Sequence, residues 1–179
     1  MKTLDKGTIK LEGKRITLRI LKIADVGEEY LKWMNDEEIL RYTECRGRSF
    51  TAQDLKDYVQ ERYDNPADYF FGIFLKDSRV HAGNIKAGNI KPGDLSADVG
   101  LIISKEHWNN GYASESIGLV TRFAFDELGL NRLWAGMFEE NQGSYKAFVK
   151  SGYKKFNYDA AKKIIQVEAL KKDHDKKKK

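Results

Sequence analysis

The chain has one cysteine, two prolines and three histidines in 179 residues, and each shortage excludes something. A lone Cys45 cannot close an internal disulfide, so a reducing cytoplasm is the expected location. Cys45 also lies in a polar stretch with no neighbouring histidine, which argues against a nucleophilic role. His81, His107 and His174 stand at no metal-ligand spacing with any Cys, Asp or Glu, so no metal is expected. No apolar run approaches ~18 residues, so nothing reads as a membrane span. Met1-Lys2-Thr3-Leu4-Asp5-Lys6 leads into no signal-peptide apolar core. Pro66 and Pro92 leave long stretches free for regular structure.

What is present is a globular composition, 41% hydrophobic and 12% aromatic. The length suits one domain, expected over residues 1–170. The formal charge of +5 is misleading. Residues 171–179 hold six lysines against two aspartates, so +4 of it sits there and the body is nearly neutral. That lysine-rich end is expected to be a solvated, disordered tail, and the pI is its property. A nucleic-acid face is therefore poorly supported.

Residues 15–20 alternate apolar and polar and read as a half-buried strand. Asp25 with Glu28 reads as a cap before a helix whose stripe is Val26, Tyr30, Trp33 and Met34, with a short helix over 37–42 after it. Thr51 with Asp54 opens another helix, striped by Leu55, Tyr58, Val59 and Tyr63. The period then changes to that of strands over 69–75, 80–86 and 96–103, with turns at 76–79 and 91–94. Gly83-Asn84-Ile85-Lys86 recurs as Gly88-Asn89-Ile90-Lys91, too short to be a structural repeat and consistent with a bulge. A helix over 114–128, a strand over 132–138, a short helix over 144–151 ended by Gly152, and strands over 153–157 and 164–170 complete an α+β order on a mostly antiparallel sheet.

The stretch from Asp98 to Ser116 organises the rest. Val99, Leu101, Ile102 and Ile103 supply an apolar strand, Asn109, Asn110 and Gly111 a turn, and Ser114 and Glu115 the start of the helix. The first turn of a helix has free N–H groups and a partial positive charge, and a glycine before it lets a phosphate approach the backbone. Many such junctions carry a glycine for turn geometry alone, so the junction by itself does not decide the matter.

Trp108-Asn109-Asn110-Gly111-Tyr112-Ala113 resembles the acetyl-CoA pyrophosphate loop of GNAT-family N-acetyltransferases, which has Arg or Gln, two residues, Gly, one residue, then Gly or Ala. Asn141 to Tyr153 resembles the family's second signature: Asn, a small residue three on (Ser144), an aromatic (Phe148), then Lys150-Ser151-Gly152-Tyr153. Gly83-Asn84-Ile85-Lys86 and Ala97-Asp98-Val99-Gly100 resemble strands of the branch containing ribosomal-protein, polyamine and nucleotide-sugar acetyltransferases. The resemblance covers roughly residues 15–170. It implies a mixed, mostly antiparallel central sheet flanked by helices, with splayed central strands that bind acetyl-CoA.

On that resemblance, Asn109, Asn110, Gly111, Tyr112, Ala113 and Ser114 cradle the pyrophosphate. Leu101, Ile102 and Ile103 offer backbone groups to the pantetheine arm, a use to which apolar side chains are no objection. Asn141 becomes a cofactor partner as well as a helix cap, and Ser144 lies close to the thioester. Asp98 stands where histone acetyltransferases carry a catalytic glutamate. Two residues depart from the pattern. Phe148 replaces the tyrosine that protonates the leaving thiolate, and Trp108 replaces the loop's Arg or Gln.

The expected activity is acetyl transfer from acetyl-CoA to a primary amine by direct attack in a ternary complex, with Asp98 and Ser144 as catalytic candidates. The acceptor is a small molecule or a peptide: an amino sugar on a nucleotide, a protein N-terminus, or a polyamine. Trp33, Arg41, Tyr42, Arg46 and Arg48 fall in the region that the resemblance gives to the acceptor, and the arginines argue for an anionic one. No membrane or nucleic-acid partner is expected, and a homodimer stays open. The competing reading is a catalytically weak CoA-binding fold that docks on nucleic acid or ribosomes through its basic tail.

Overall fold

The computed structural model describes residues 4–91 and 93–176. Eight strands form one sheet: β1 (Lys10–Glu12), β2 (Ile16–Ile20), β3 (Tyr69–Leu75), β4 (His81–Lys91), β5 (Ser96–Ile103), β6 (Arg132–Phe138), β7 (Lys154–Asp159) and β8 (Ile164–Leu170). Their order across the sheet is β1-β2-β3-β4-β5-β6-β8-β7. Every pairing is antiparallel except β5 with β6. That one parallel pair is joined by α4 (Tyr112–Asp126), the crossover helix that parallel strands require.

Side-chain alternation sorts the core into two layers. On one face α4 buries Ile117, Val120, Phe123 and Ala124 against β2–β6, with Leu128 just past its end and Phe148 from α5 (Gln142–Lys150) beside them. On the other face α1 (Glu28–Trp33), α2 (Glu37–Leu40) and α3 (Ala52–Asp64) bury Tyr30, Trp33, Leu40, Leu55 and Val59 on Leu21 and Phe70. The Thr51–Asp54 capping box opens α3 as its sequence spacing predicts. The Asp25 cap does not form. Gly27 precedes α1, and the Asp25 carboxylate instead accepts from the Lys22 amide and pairs with Arg19. Asp25 thus caps the 3-10 turn Ile23–Asp25 ahead of α1 rather than α1 itself.

The second Gly-Asn-Ile-Lys is a continuation of β4 past a register shift at Gly88, where Asn89 takes a positive φ of 49°. The expected turn at 91–94 includes Pro92, which lies outside the described residues.

The 171–179 end departs from the expectation of disorder over 171–176, which form a helix, α6 (Lys171–Lys176). Local anchors explain this. Lys171 Nζ donates to Phe125 O at 2.8 Å, His174 lies 5.4 Å from the Phe125 ring, and Lys154 pairs with Asp173. Residues 177–179 lie outside the described part.

Candidate active site

The site is built where the parallel pair opens. β5 and β6 share register only at Ser96–Arg132, Ala97–Leu133 and Asp98–Trp134. From Val99 and Ala135 onward the two strands have no common pairs, although β5 stays bonded to β4 and β6 to β8. The result is a wedge, open at the carboxyl ends of both strands, with unpaired backbone along one edge of each. A crevice where adjacent parallel strands diverge is where α/β sheets bind ligands. The strand side chains explain why the wedge persists: Val99, Ile103, Ala135 and Met137 are held in the core below, so neither strand can swing across to the other.

Each side of the wedge leads to a helix N-terminus. From β5 the chain passes through a 3-10 turn, Lys105–His107, to α4. Trp108 fixes that turn, its indole N–H donating to Ile103 O at 2.7 Å. Asn109 (φ 61°) and Gly111 (φ 77°) are both left-handed, which curls successive amides inward. Gly111 is the N-cap and no side chain caps α4, so the first-turn amides of Tyr112, Ala113 and Ser114 stay available. From β6 the chain turns directly into α5. Asn141 N bonds Phe138 O, and the Asn141 side chain accepts from Ser144 N at 3.1 Å. The cap role predicted for Asn141 is present, and Ser144 is partly buried in the first turn of α5.

A cleft of about 570 Å³ lies against the first of these helix starts, lined by Asn109, Asn110, Gly111 and Ser114 together with Arg15, Glu115, Lys150 and Ser151. The last four come from places the loop pattern does not mention. Ser151 Oγ, whose one proton is shared between Ala147 O at 2.8 Å and Ser114 O at 3.1 Å, sets the end of α5, with Lys150, beside the start of α4. Arg15 reaches in from the residue before β2: its Nη1 donates to Asn110 O at 2.7 Å and its Nε to Glu115 Oε2 at 3.0 Å. Burial alone would raise the Glu115 pKa, but the Arg15 amide and guanidinium outweigh it and hold the carboxyl below its ordinary range. No local motif announces Arg15, because the contact spans 100 positions of sequence.

At the vertex of the wedge, Asp98 is fixed from two sides. Asn89 Nδ2 donates to Oδ1 at 2.7 Å and Lys86 Nζ lies 3.6 Å from Oδ2. Asn89 is itself held through its amide by Asp68, which is fully buried and paired with Arg62 at 2.7 Å. Beside Asp98 on the same sheet face, a Cβ added to Gly100 would meet nothing within 4 Å. The strand surface there is bare, with space for a ligand.

The other predicted residues divide. Leu101 and Ile102 are partly exposed along the open edge of β5, while Ile103 is buried at its end. Phe148 is buried with its ring 5.0 Å from Tyr153. Tyr153 cannot replace it as an acid. Its hydroxyl is 3.0 Å from Thr121 Oγ1 in the core, and burial pushes the phenol well above its usual range. Trp33 is a core residue, edge-on to His81 at 5.3 Å. Arg46 and Arg48 are exposed, and Arg41 stacks on Tyr42 at 5.4 Å. An ion pair joins Glu38 of α2, the helix that leads into this arginine segment, to Lys105 just past the end of β5. Cys45 is a free thiol. Among the described residues, no group of three or more His, Cys, Asp or Glu could hold a metal ion, and no helix is long and apolar enough to cross a membrane.

Comparison with known proteins agrees with this geometry. Residues 15–154 match the family model described as "Acetyltransferase (GNAT) domain". Two curated proteins of Bacillus subtilis are each 29% identical to the chain. The "Probable N-acetyltransferase YjcK" matches over 92% of this chain and 93% of its own, and the "Uncharacterized N-acetyltransferase YoaA" over 81% and 82%. A crystal structure of a GNAT-family acetyltransferase from Bacillus anthracis superposes with a TM-score of 0.80 at 20% identity, covering 92% of this chain and 99% of that one. A spermidine N-acetyltransferase from Vibrio cholerae, solved with CoA and spermine, gives 0.78 at 17% identity, covering 88% and 96%. The chain belongs to the GNAT acetyltransferase family and is an acetyl-CoA-dependent N-acetyltransferase.

Proposed function

We propose that this enzyme acetylates an anionic primary amine, such as an amino sugar carried on a nucleotide, by direct attack in a ternary complex. The observation that carries the reading is the continuous path from the nest at Asn109–Gly111, along the unpaired edge of β5, to Asp98 at the vertex. The α4 first-turn amides and the cleft cations would take the pyrophosphate. The open edge from Val99 to Ile103 would pair with the pantetheine arm as an added strand does. That arrangement delivers an acetyl group near Val99 and Gly100, where a backbone amide can polarise its carbonyl.

The chain's own chemistry is then modest. It orients two reactants and manages one proton. An aliphatic amine with a pKa near ~10 arrives protonated at neutral pH, and Asp98, acting through a water, is the base. A thiol with a pKa near ~8.5 leaves readily, so Ser144 or water is sufficient as donor where Phe148 cannot serve. The arginines at 41, 46 and 48 support an anionic acceptor and weigh against a polycation. The family match and the N-acetyltransferase relatives favour this reading over a non-enzymatic tail-docking protein.

The test is thiol release from acetyl-CoA with a panel of nucleotide amino sugars, peptides with free N-termini, and spermidine. Turnover with a nucleotide amino sugar is expected. Turnover with spermidine and with no nucleotide sugar contradicts the acceptor assignment.

A further inference from the structure

In the loop pattern of this turn the leading position belongs to arginine or glutamine, but here it is Trp108, whose only N–H donor is already spent on Ile103 O. The turn therefore has no polar side chain of its own to offer a phosphate from that position. A guanidinium is nevertheless present. We propose that Arg15, supplied from the start of β2, is the phosphate-contacting cation of this site and replaces the one that Trp108 displaces. The proposal rests on the acetyl-CoA reading of the cleft.

Three features of Arg15 support it. First, its orientation is fixed. Nη1 is held by Asn110 O, Nε by Glu115 Oε2, and the guanidinium lies 4.9 Å from the Tyr112 ring centre. A fixed fork loses less freedom on binding than a loose lysine. Second, one guanidinium nitrogen is left without an acceptor. Among the described residues Nη2 has no acceptor, and it lies 3.3 Å from the point where a Cβ on Gly111 would stand. The space a side chain would fill at Gly111 is thus bordered on one side by a free N–H of a cation. Third, the arginine removes an obstacle. Glu115 stands in the first turn of α4, where its carboxylate would repel a phosphate. The Arg15 amide at 2.8 Å and Nε at 3.0 Å hold that carboxylate and compensate its charge, leaving Nη2 directed to the cleft. Lys150, lining the same cleft, supplies a second cation.

The test compares CoA with pantetheine, which keeps the arm and lacks every phosphate, by NMR titration of the wild type, Arg15→Gln and Arg15→Lys. Arg15→Gln is expected to weaken CoA binding roughly tenfold or more, the usual weight of a hydrogen bond to a charged group, and to leave pantetheine binding unchanged. Arg15→Lys, which keeps the cation without the fork, should fall between. Added salt should weaken CoA binding less in Arg15→Gln than in the wild type. Equal CoA affinity in wild type and Arg15→Gln overturns the proposal. So does a parallel loss for CoA and pantetheine, because Arg15 would then shape the turn without touching a phosphate. A wild-type chain that binds no CoA sinks the underlying reading instead, and that result is visible before any variant is made.

Discussion

Asp98 and Trp134 are the last register pair between β5 and β6, and beyond them the strands separate. The carboxylate proposed as the base therefore stands at the closed end of the wedge, fixed by Asn89 and Lys86. Asp98→Asn keeps the shape and the ability to accept from Asn89 while removing the charge. It should lower turnover at neutral pH by roughly a hundredfold or more, with partial recovery as pH approaches the pKa of the amine. Wild-type rates from pH 6 to 9, with a normal melting curve, would show that Asp98 is only structural.

Phe148→Tyr asks whether the missing acid matters. The ring is buried against Tyr153, so an added hydroxyl has to be taken into a packed part of the chain. Turnover should change little, while stability falls by about 1–3 kcal/mol, the cost of an unsatisfied buried hydroxyl. A large gain in rate would mean that the acid position is open to the reacting sulfur after all.

His81 gives the fold a pH dependence of known sign. It is stacked on Phe74 at 4.8 Å with Nε2 2.8 Å from Asn84 Oδ1. Burial lowers its pKa below 6.5, and contacts with Asn84 and Asp25 only partly oppose this. The folded chain thus binds a proton less readily than the unfolded one. The stability associated with neutral His81 is complete above the unfolded pKa and is lost as pH falls through the lower, folded one. Thermal melts should show the midpoint dropping below about pH 6.5, and the slope should flatten in His81→Gln. An unchanged slope in that variant would assign the effect to other groups.

Much of this was legible in the sequence for identifiable reasons. The strands 69–75, 96–103, 132–138 and 164–170 fall where the alternation and turn residues put them, because their apolar faces are truly core. Gly111 and Asn141 do locally what their motifs require, since both act within a few residues of themselves. The unread parts depend on distant chain segments. Arg15 reaches Glu115, Asp68 reaches Asn89, and β8 inserts between β6 and β7, and no local period encodes such meetings. The burial of Trp33 was legible from its place in a helical apolar stripe, while its packing on His81, 48 positions away, was not.

The left-handed turn before α4 is proposed to hold the pyrophosphate of acetyl-CoA. Gly111→Val tests it most directly, because it imposes a β-branched residue on a φ of 77° and sets a side chain against Arg15 Nη2, where the ligand is to approach. Calorimetric titration should find CoA binding in the wild type and a loss of at least roughly tenfold in Gly111→Val, with only a modest fall in melting temperature. Equal affinity in the two proteins would contradict the assignment of this turn to the cofactor.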